Sequence, residues 1–306
     1  MTMASNAARA PMSARIAGAP ISWGVCEVPG WGWQYDPGTV LTEMRDVGLA
    51  ATEFGPEGFL PDAPREKVEV LADHGLAAVG QFVPVVLHDP DHDPLPQVQA
   101  AIDGLLAAGA STVVLAAATG REGYDARPVL DEDGWRVLLV NLDRLAQVAG
   151  EQGVTATFHP HVGTLVENGE ETRRVLDGSS IGLCLDTGHL LVGGADPVAI
   201  AREHPDRISH VHLKDVNAAT AARVRAGEVA YAEAVGQDLY APLGSGDVDV
   251  AAIVDALEAS GYAGWYVLEQ DTVLSGPPGG DGKRAIDDVR TSVAYLRDLA
   301  ERSTHA

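Results

Sequence analysis

Eight times along this chain a short apolar run is followed by a stretch of helical periodicity. The runs fall at about 15–22, 49–54, 78–87, 111–118, 154–159, 181–186, 208–213 and 264–269. The helical patterns lie near 37–47, 64–74, 94–108, 133–152, 168–177, 196–204, 249–260 and 283–302. Several helices stop at a glycine just ahead of the next strand, namely Gly48, Gly75, Gly109, Gly153 and Gly261. Strands joined through helices run parallel, because the helix carries the chain back to the edge where the last strand began. Eight such units within about 290 residues predict one (β/α)8 TIM barrel, where a doubly wound sheet usually needs fewer.

The 306 residues suffice for one full-sized core. Residues 1–14 read as a disordered tail, with no apolar block of the kind a secretion signal requires, and 15–306 as the barrel. No segment approaches the roughly 18 uninterrupted apolar residues of a membrane span. Cys26 and Cys184 are the only cysteines, too few for a disulfide framework, and the expected setting is cytoplasmic. Lys+Arg 21 against Asp+Glu 44 leaves a net charge of −23, which opposes broad binding to nucleic acid or to an anionic membrane.

Two connections are long, from Ala118 to Asp133 and across 216–247. The second contains a short helical pattern at 223–235. It leaves from the carboxyl end of a barrel strand, which suits a lid or pocket wall, or a contact within a homo-oligomer.

The last four strands end on ionisable side chains, and carboxyl ends of parallel strands converge on one site in a barrel. Asp186, His212 and Glu269 are the resulting candidates for a shared metal centre. A carboxylate at the end of an apolar strand is expensive unless paired, hydrogen-bonded or metal-bound, although Asp186 also suits the cap of the next helix. His210, His212 and Lys214 alternate on one face of their strand. Strand five offers His159 and His161 on one face, with Glu167 six residues beyond His161, and either His159 or Glu167 completes the ligand set. Oxygen-rich donors with one or two imidazoles suit a divalent cation, Mn2+ or Co2+ first, with Zn2+, Fe2+ or Mg2+ also compatible. Such an ion polarises a substrate oxygen.

Lys214, His161, His189 and Glu53 are candidates for handling protons. Glu57, in the loop after strand two, Gln81, on strand three ahead of Phe-Val-Pro, and Asp215, which opens the long connection, join the substrate-binding candidates. Trp23 and Trp31, on a glycine-rich segment, suit the wall of a pocket for a hydroxylated ring whose C–H faces pack on indole.

Residues 19–24 (APISWG), 52–61 (TEFGPEGFLP), 159–167 (HPHVGTLVE), 184–189 (CLDTGH), 210–215 (HVHLKD), 242–249 (PLGSGDVD) and 268–271 (LEQD) span nearly the whole chain after the tail. On these the chain resembles the xylose-isomerase-like barrel superfamily of sugar isomerases and epimerases, and within it the inosose dehydratase branch. The resemblance implies a divalent metal held by Glu, Asp, His and Glu from strands five to eight. Asp186, His212 and Glu269 carry over directly. Where many relatives have Glu-Asn-His, this chain has His159-Pro160-His161. His159 matches the missing ligand by position, while Glu167 would restore a carboxylate and is slightly favoured. Trp23 is followed by Gly24, Val25, Cys26 and Glu27, where the branch usually has Asn and Asp nearby. The implied activity is metal-dependent dehydration of a keto-cyclitol such as 2-keto-myo-inositol to a cyclohexane-dione. The main alternative is a sugar or cyclitol isomerase or epimerase, and a lesser one a barrel that binds a cyclitol without turning it over. An abasic-site nuclease on the same barrel is opposed by the net charge.

Overall fold

A computed structural model describes residues 9–121, 127–276 and 285–303. Nine parallel strands form one sheet: β1 (Ile16–Gly18), β2 (Ala51–Thr52), β3 (Ala77–Ala78), β4 (Gly80–Val85), β5 (Thr112–Ala117), β6 (Thr155–Phe158), β7 (Gly182–Asp186), β8 (Ile208–Leu213) and β11 (Tyr266–Leu268). Two further strands, β9 (Asp215–Val216) and β10 (Tyr240–Ala241), form a separate antiparallel ribbon. The order β3-β2-β1-β11-β8-β7-β6-β5-β4 places β3 and β4 at opposite ends of the sheet. They are consecutive in the chain, separated only by Val79, so the wall closes through this one interrupted stave. Eight staves result, and the expected barrel is the observed one.

The interruption changes which side chains face inward. Val79 packs with Ala17, Ala51 and Val267, whose register runs on through Val267 opposite His212 to His212 opposite Asp186. Partners in register point to the same face, so this row lines the interior. Unbroken alternation from Val79 would bring Gln81 inward. Instead the break shifts the alternation by one, and Phe82 turns in, its ring centroid 5.7 Å from those of His159 and His161. Gly80 sits at the tight point, where a Cβ would lie 2.6 Å from the Thr112 carbonyl oxygen.

The outer helices follow the sequence pattern closely, including Pro37–Asp46, Leu95–Ala107, Glu132–Glu151 and Val250–Ser260. Glu132–Glu151 buries Trp135, Leu138, Leu142 and Leu145 at helical spacing. The segment 216–247 departs from expectation. In place of one helix over 223–235 it folds as Ala218–Arg225 and Tyr231–Val235, split around Gly227, whose φ of 69° ends the first helix. Residues 9–14, expected to be part of a disordered tail, are packed. Met12 is buried, and Arg9 donates to Glu258 and to the Tyr262 carbonyl. Positions 1–8 of that tail, 122–126 of the earlier long connection and 283–284 of the last helical pattern lie outside the described residues. Among those described, no helix is long and apolar enough to cross a membrane.

Candidate metal centre

Asp186 ends β7 and uses its two carboxylate oxygens differently. Oδ1 caps the helix Thr187–Val192, accepting the backbone N–H groups of Gly188 (2.9 Å) and His189 (2.7 Å). Oδ2 faces the barrel axis, 3.2 Å from His159 Nε2 and 2.7 Å from Lys214 Nζ. Oδ1 therefore fills the capping role foreseen for this residue, while Oδ2 is turned toward the other candidate ligands. Gly188 makes room for the lysine, since a Cβ there would lie 2.6 Å from Lys214 Cβ.

Four side chains from neighbouring staves bring one potential ligand atom each within 4.8 Å of the others: His159 after β6, Asp186 on β7, His212 on β8 and Glu269 after β11. His212 Nδ1 lies 3.7 Å from Asp186 Oδ2 and in contact with Glu269 Oε2. Both of those contacting atoms are buried without a hydrogen-bond partner, as is His159 Nδ1. The contact of His212 Nδ1 with Glu269 Oε2 is costly unless a proton or a cation lies between them. Charge points the same way. Glu53, Asp186, Glu269 and Asp271 gather in one region around Lys214 and the His212 imidazole. Burial would lower the pKa of His212, but Cys184, Glu269 and Glu53 outweigh it and hold the ring well above its ordinary value. The donor set, two imidazoles and two carboxylates, fits a divalent ion of borderline hardness. Cys184 is within reach of His159 and His212. Burial pushes its thiol up to about 11, however, and a thiol is no ligand until it ionises.

Of the two candidates for the fourth position, His159 lies in the cluster and the slightly favoured Glu167 does not. The Glu167 carboxylate accepts Gly163 N–H (2.7 Å) and faces Arg127 at 3.6 Å, outside the cluster. The turn 161–166 causes this: Pro160 and Gly163 fold the chain back, and Val166 carbonyl accepts the His161 N–H, so Glu167 heads away from the axis.

Lys214 is fully buried, 2.7 Å from Asp186, 3.2 Å from Glu269 and 3.4 Å from Asp271. Burial alone would lower its pKa, but these carboxylates hold it well above the usual lysine range. Burial likewise raises Glu269, and the charges of His212 and Lys214 outweigh it, leaving the group at about 2. Burial lifts Asp271 to about 6 against the pull of Lys214, with Glu269 adding to the rise. His161 is pushed down to about 3 by burial and then by His159 and Lys214. Its Nδ1–H donates to the Val162 carbonyl at 2.7 Å, which makes Nε2 the unprotonated nitrogen of a neutral ring. His189 stacks on it with centroids 3.8 Å apart.

A cavity of about 590 Å3 opens over this cluster, lined by Trp31, Glu53, Phe82, His161, Glu269 and Asp271 among others. Glu57 and Gln81 also line it, Gln81 from the outward face of β4. Trp23 does not. It is fully buried, its Nε1 donating to Glu43 at 2.8 Å, so it belongs to the core beneath the site. Asp215 is likewise structural. Its carboxylate accepts the backbone N–H groups of Val216, Gly244, Gly246 and Val248, fastening the start of the long excursion to its end.

Residues 41–299 match the family described as xylose isomerase-like TIM barrel. The chain is 30% identical over 272 residues to an inosose dehydratase of Geobacillus thermodenitrificans, covering 85% of this chain and 91% of that protein. It is 34% identical over 273 residues to the rhizopine catabolism protein MocC of Rhizobium meliloti, covering 85% and 82%. The chain belongs to the xylose isomerase-like TIM barrels, in the inosose dehydratase branch. Among solved structures of the same fold, the IOLI protein with a bound zinc atom superposes with a TM-score of 0.67 at 15% identity, covering 94% of this chain and 98% of that one.

Three residues of the site escaped the sequence reading. Asp271 was visible in the terminal LEQD stretch, two positions after Glu269 and thus on the same face. Tyr231 donates to Asp271 at 2.5 Å and lies 3.0 Å from the Tyr240 hydroxyl. Both tyrosines come from the excursion, where no periodicity points to a barrel interior.

Proposed function

We propose that the protein dehydrates a keto-cyclitol of the 2-keto-myo-inositol type, with Mn2+ or Co2+ held by His159, Asp186, His212 and Glu269, in a cytoplasmic setting. The observation that carries this reading is the convergence of these four donors, with unpartnered buried atoms, beneath a cavity sized for a small ring, in a chain similar to inosose dehydratases. The cation, when bound, supplies Lewis-acid polarisation of a substrate oxygen.

Dehydration removes a C–H proton beside the ketone, expels a hydroxyl from the next carbon as water, and leaves an enol that tautomerises to the dione. His161 lines the cavity with an unprotonated Nε2, the arrangement of a general base for the C–H proton. The Lys214 ammonium, fixed among three carboxylates, is the positive charge that stabilises negative charge developing on the ring oxygens. Tyr231 and Asp271 also line the cavity, and this hydrogen-bonded pair would protonate the departing hydroxyl. Trp31, its Nε1 tied to the Thr272 carbonyl at 3.0 Å, offers an indole edge to the ring.

Purified protein incubated with 2-keto-myo-inositol and Mn2+ or Co2+ is expected to produce the dione chromophore with loss of one water. Solvent deuterium entering recovered ketone with no dione formed would replace this reading with isomerisation or epimerisation. Neither dione nor exchange, in protein that binds the ketone, would leave a binding barrel.

A further inference from the structure

Below the four candidate ligands, β8 carries a second imidazole one layer deeper. His210 is 1% exposed, and its Nε2 lies 2.7 Å from Glu53 Oε1. His212 Nε2 lies 3.0 Å from that same oxygen. One carboxylate oxygen therefore faces two imidazole nitrogens of a single strand. Glu53 arrives from across the interior: it follows β2, and both β1 and β11 stand between β2 and β8 in the wall. It can cross because the inward positions of those staves are small, Ala17 on β1, Ala51 on β2 and Val267 on β11.

An ionised carboxylate only accepts, so each facing nitrogen must carry its hydrogen. Once a cation takes the Nδ1 lone pair the ring carries one N–H, which Glu53 fixes on Nε2; with no cation, the carboxylates beside Nδ1 favour a proton there as well. In His212, Nδ1 is the atom that faces Asp186 and Glu269. A ring free to flip or change tautomer would present a C–H or an N–H there instead.

We propose that Glu53 is a positioning residue: through Nε2–H it holds the tautomer and ring orientation that present His212 Nδ1 to the cation, and His210 clamps Glu53 in place. This rests on the reading of the cluster as a divalent-cation centre. It removes Glu53 from the proton-transfer role expected of it, since its Oε1 is committed beneath the metal layer. Partners of this kind behind ligating histidines raise metal affinity by about 10–100-fold.

The test uses the full chain with 15N-labelled imidazoles, measures Mn2+ and Zn2+ affinity by chelator competition, and reads the His212 tautomer in the diamagnetic Zn2+-loaded protein. In the Zn2+-loaded wild type, His212 is expected with its hydrogen on Nε2. Glu53→Ala is expected to give a mixture of tautomers and to weaken Mn2+ binding by about 10–100-fold, with melting measured alongside. Glu53→Gln keeps an acceptor oxygen and the side-chain volume, so it is expected to preserve the tautomer and recover part of the affinity. It also carries the test should the alanine variant not fold: a randomised His212 tautomer in Glu53→Gln would overturn the proposal. Wild-type affinity and tautomer in Glu53→Ala would overturn it too. A wild type that binds neither ion would defeat the cation reading and this proposal with it, whereas ion binding left unchanged by Glu53→Ala would defeat the proposal alone.

Discussion

The two halves of the barrel wall are built to different rules. The wall from β6 to β11 carries the chemistry: β7 and β8 run five and six residues, and their inward row is Cys184, Asp186, His210 and His212. The wall from β1 to β3 uses strands of three, two and two residues, and its inward row is alanine. Longer strands, with one register shift between Leu183 and Cys184, set Asp186 opposite His212, so ligand atoms from different parts of the chain meet within a few ångströms. Short strands with small side chains leave open volume, which Glu53 crosses and which the cavity occupies above it. Precision on one side depends on vacancy on the other.

This contrast can be broken most severely at Asp186. Asp186→Ala removes a ligand, a helix cap and the partner of Lys214 together. Loss of detectable turnover is expected, with a destabilisation of about 3–5 kcal/mol from the uncompensated buried charge, read by denaturant unfolding. Lys214→Met should destabilise the metal-free protein to a similar extent, about 3–5 kcal/mol, since Asp186, Glu269 and Asp271 lose their shared cation. Added Mn2+ should then raise its melting temperature more than it raises that of the wild type. An equal rise in both would mean that the lysine and the metal do not share these carboxylates.

Effects on the open side should be smaller. Phe82→Ala is expected to raise KM about tenfold, near 1.4 kcal/mol, and Gln81→Ala distinctly less, because the break at Val79 turns one inward and the other outward. Equal effects would contradict the shifted alternation. Asp215→Ala should cost at least about 1.5–3 kcal/mol in stability through its lost charge-assisted hydrogen bonds, with cation affinity retained. The smallest effect belongs to Glu167→Gln. Its partly exposed contact with Arg127 is worth at most about 1 kcal/mol, and Mn2+ affinity should not change. A large fall in affinity would return Glu167 to the ligand set.

Much of this was legible before any coordinates. Helical and apolar periodicities follow from local geometry, so eight staves, their helices and the ionisable strand ends of Asp186, His212 and Glu269 can be read from spacing alone. What spacing could not decide lies where the chain leaves its period. Past Pro160 the turn sends Glu167 away, leaving His159 beside Asp186. At Val79 one extra residue exchanges Gln81 for Phe82. In the excursion that brings Tyr231 to Asp271, the short helical pattern at 223–235 gives no sign that Tyr231 reaches the barrel interior. Trp23 and Asp215, ranked by residue type as pocket residues, are spent on Glu43 and on four backbone N–H groups. The sequence by itself determined the barrel and three of its candidate metal ligands, because those depend on repeats of two and of 3.6 residues. Only the tertiary structure brought His159 rather than Glu167 to the cluster and set the place of Glu53, because both depend on distances across the barrel between residues far apart in the chain.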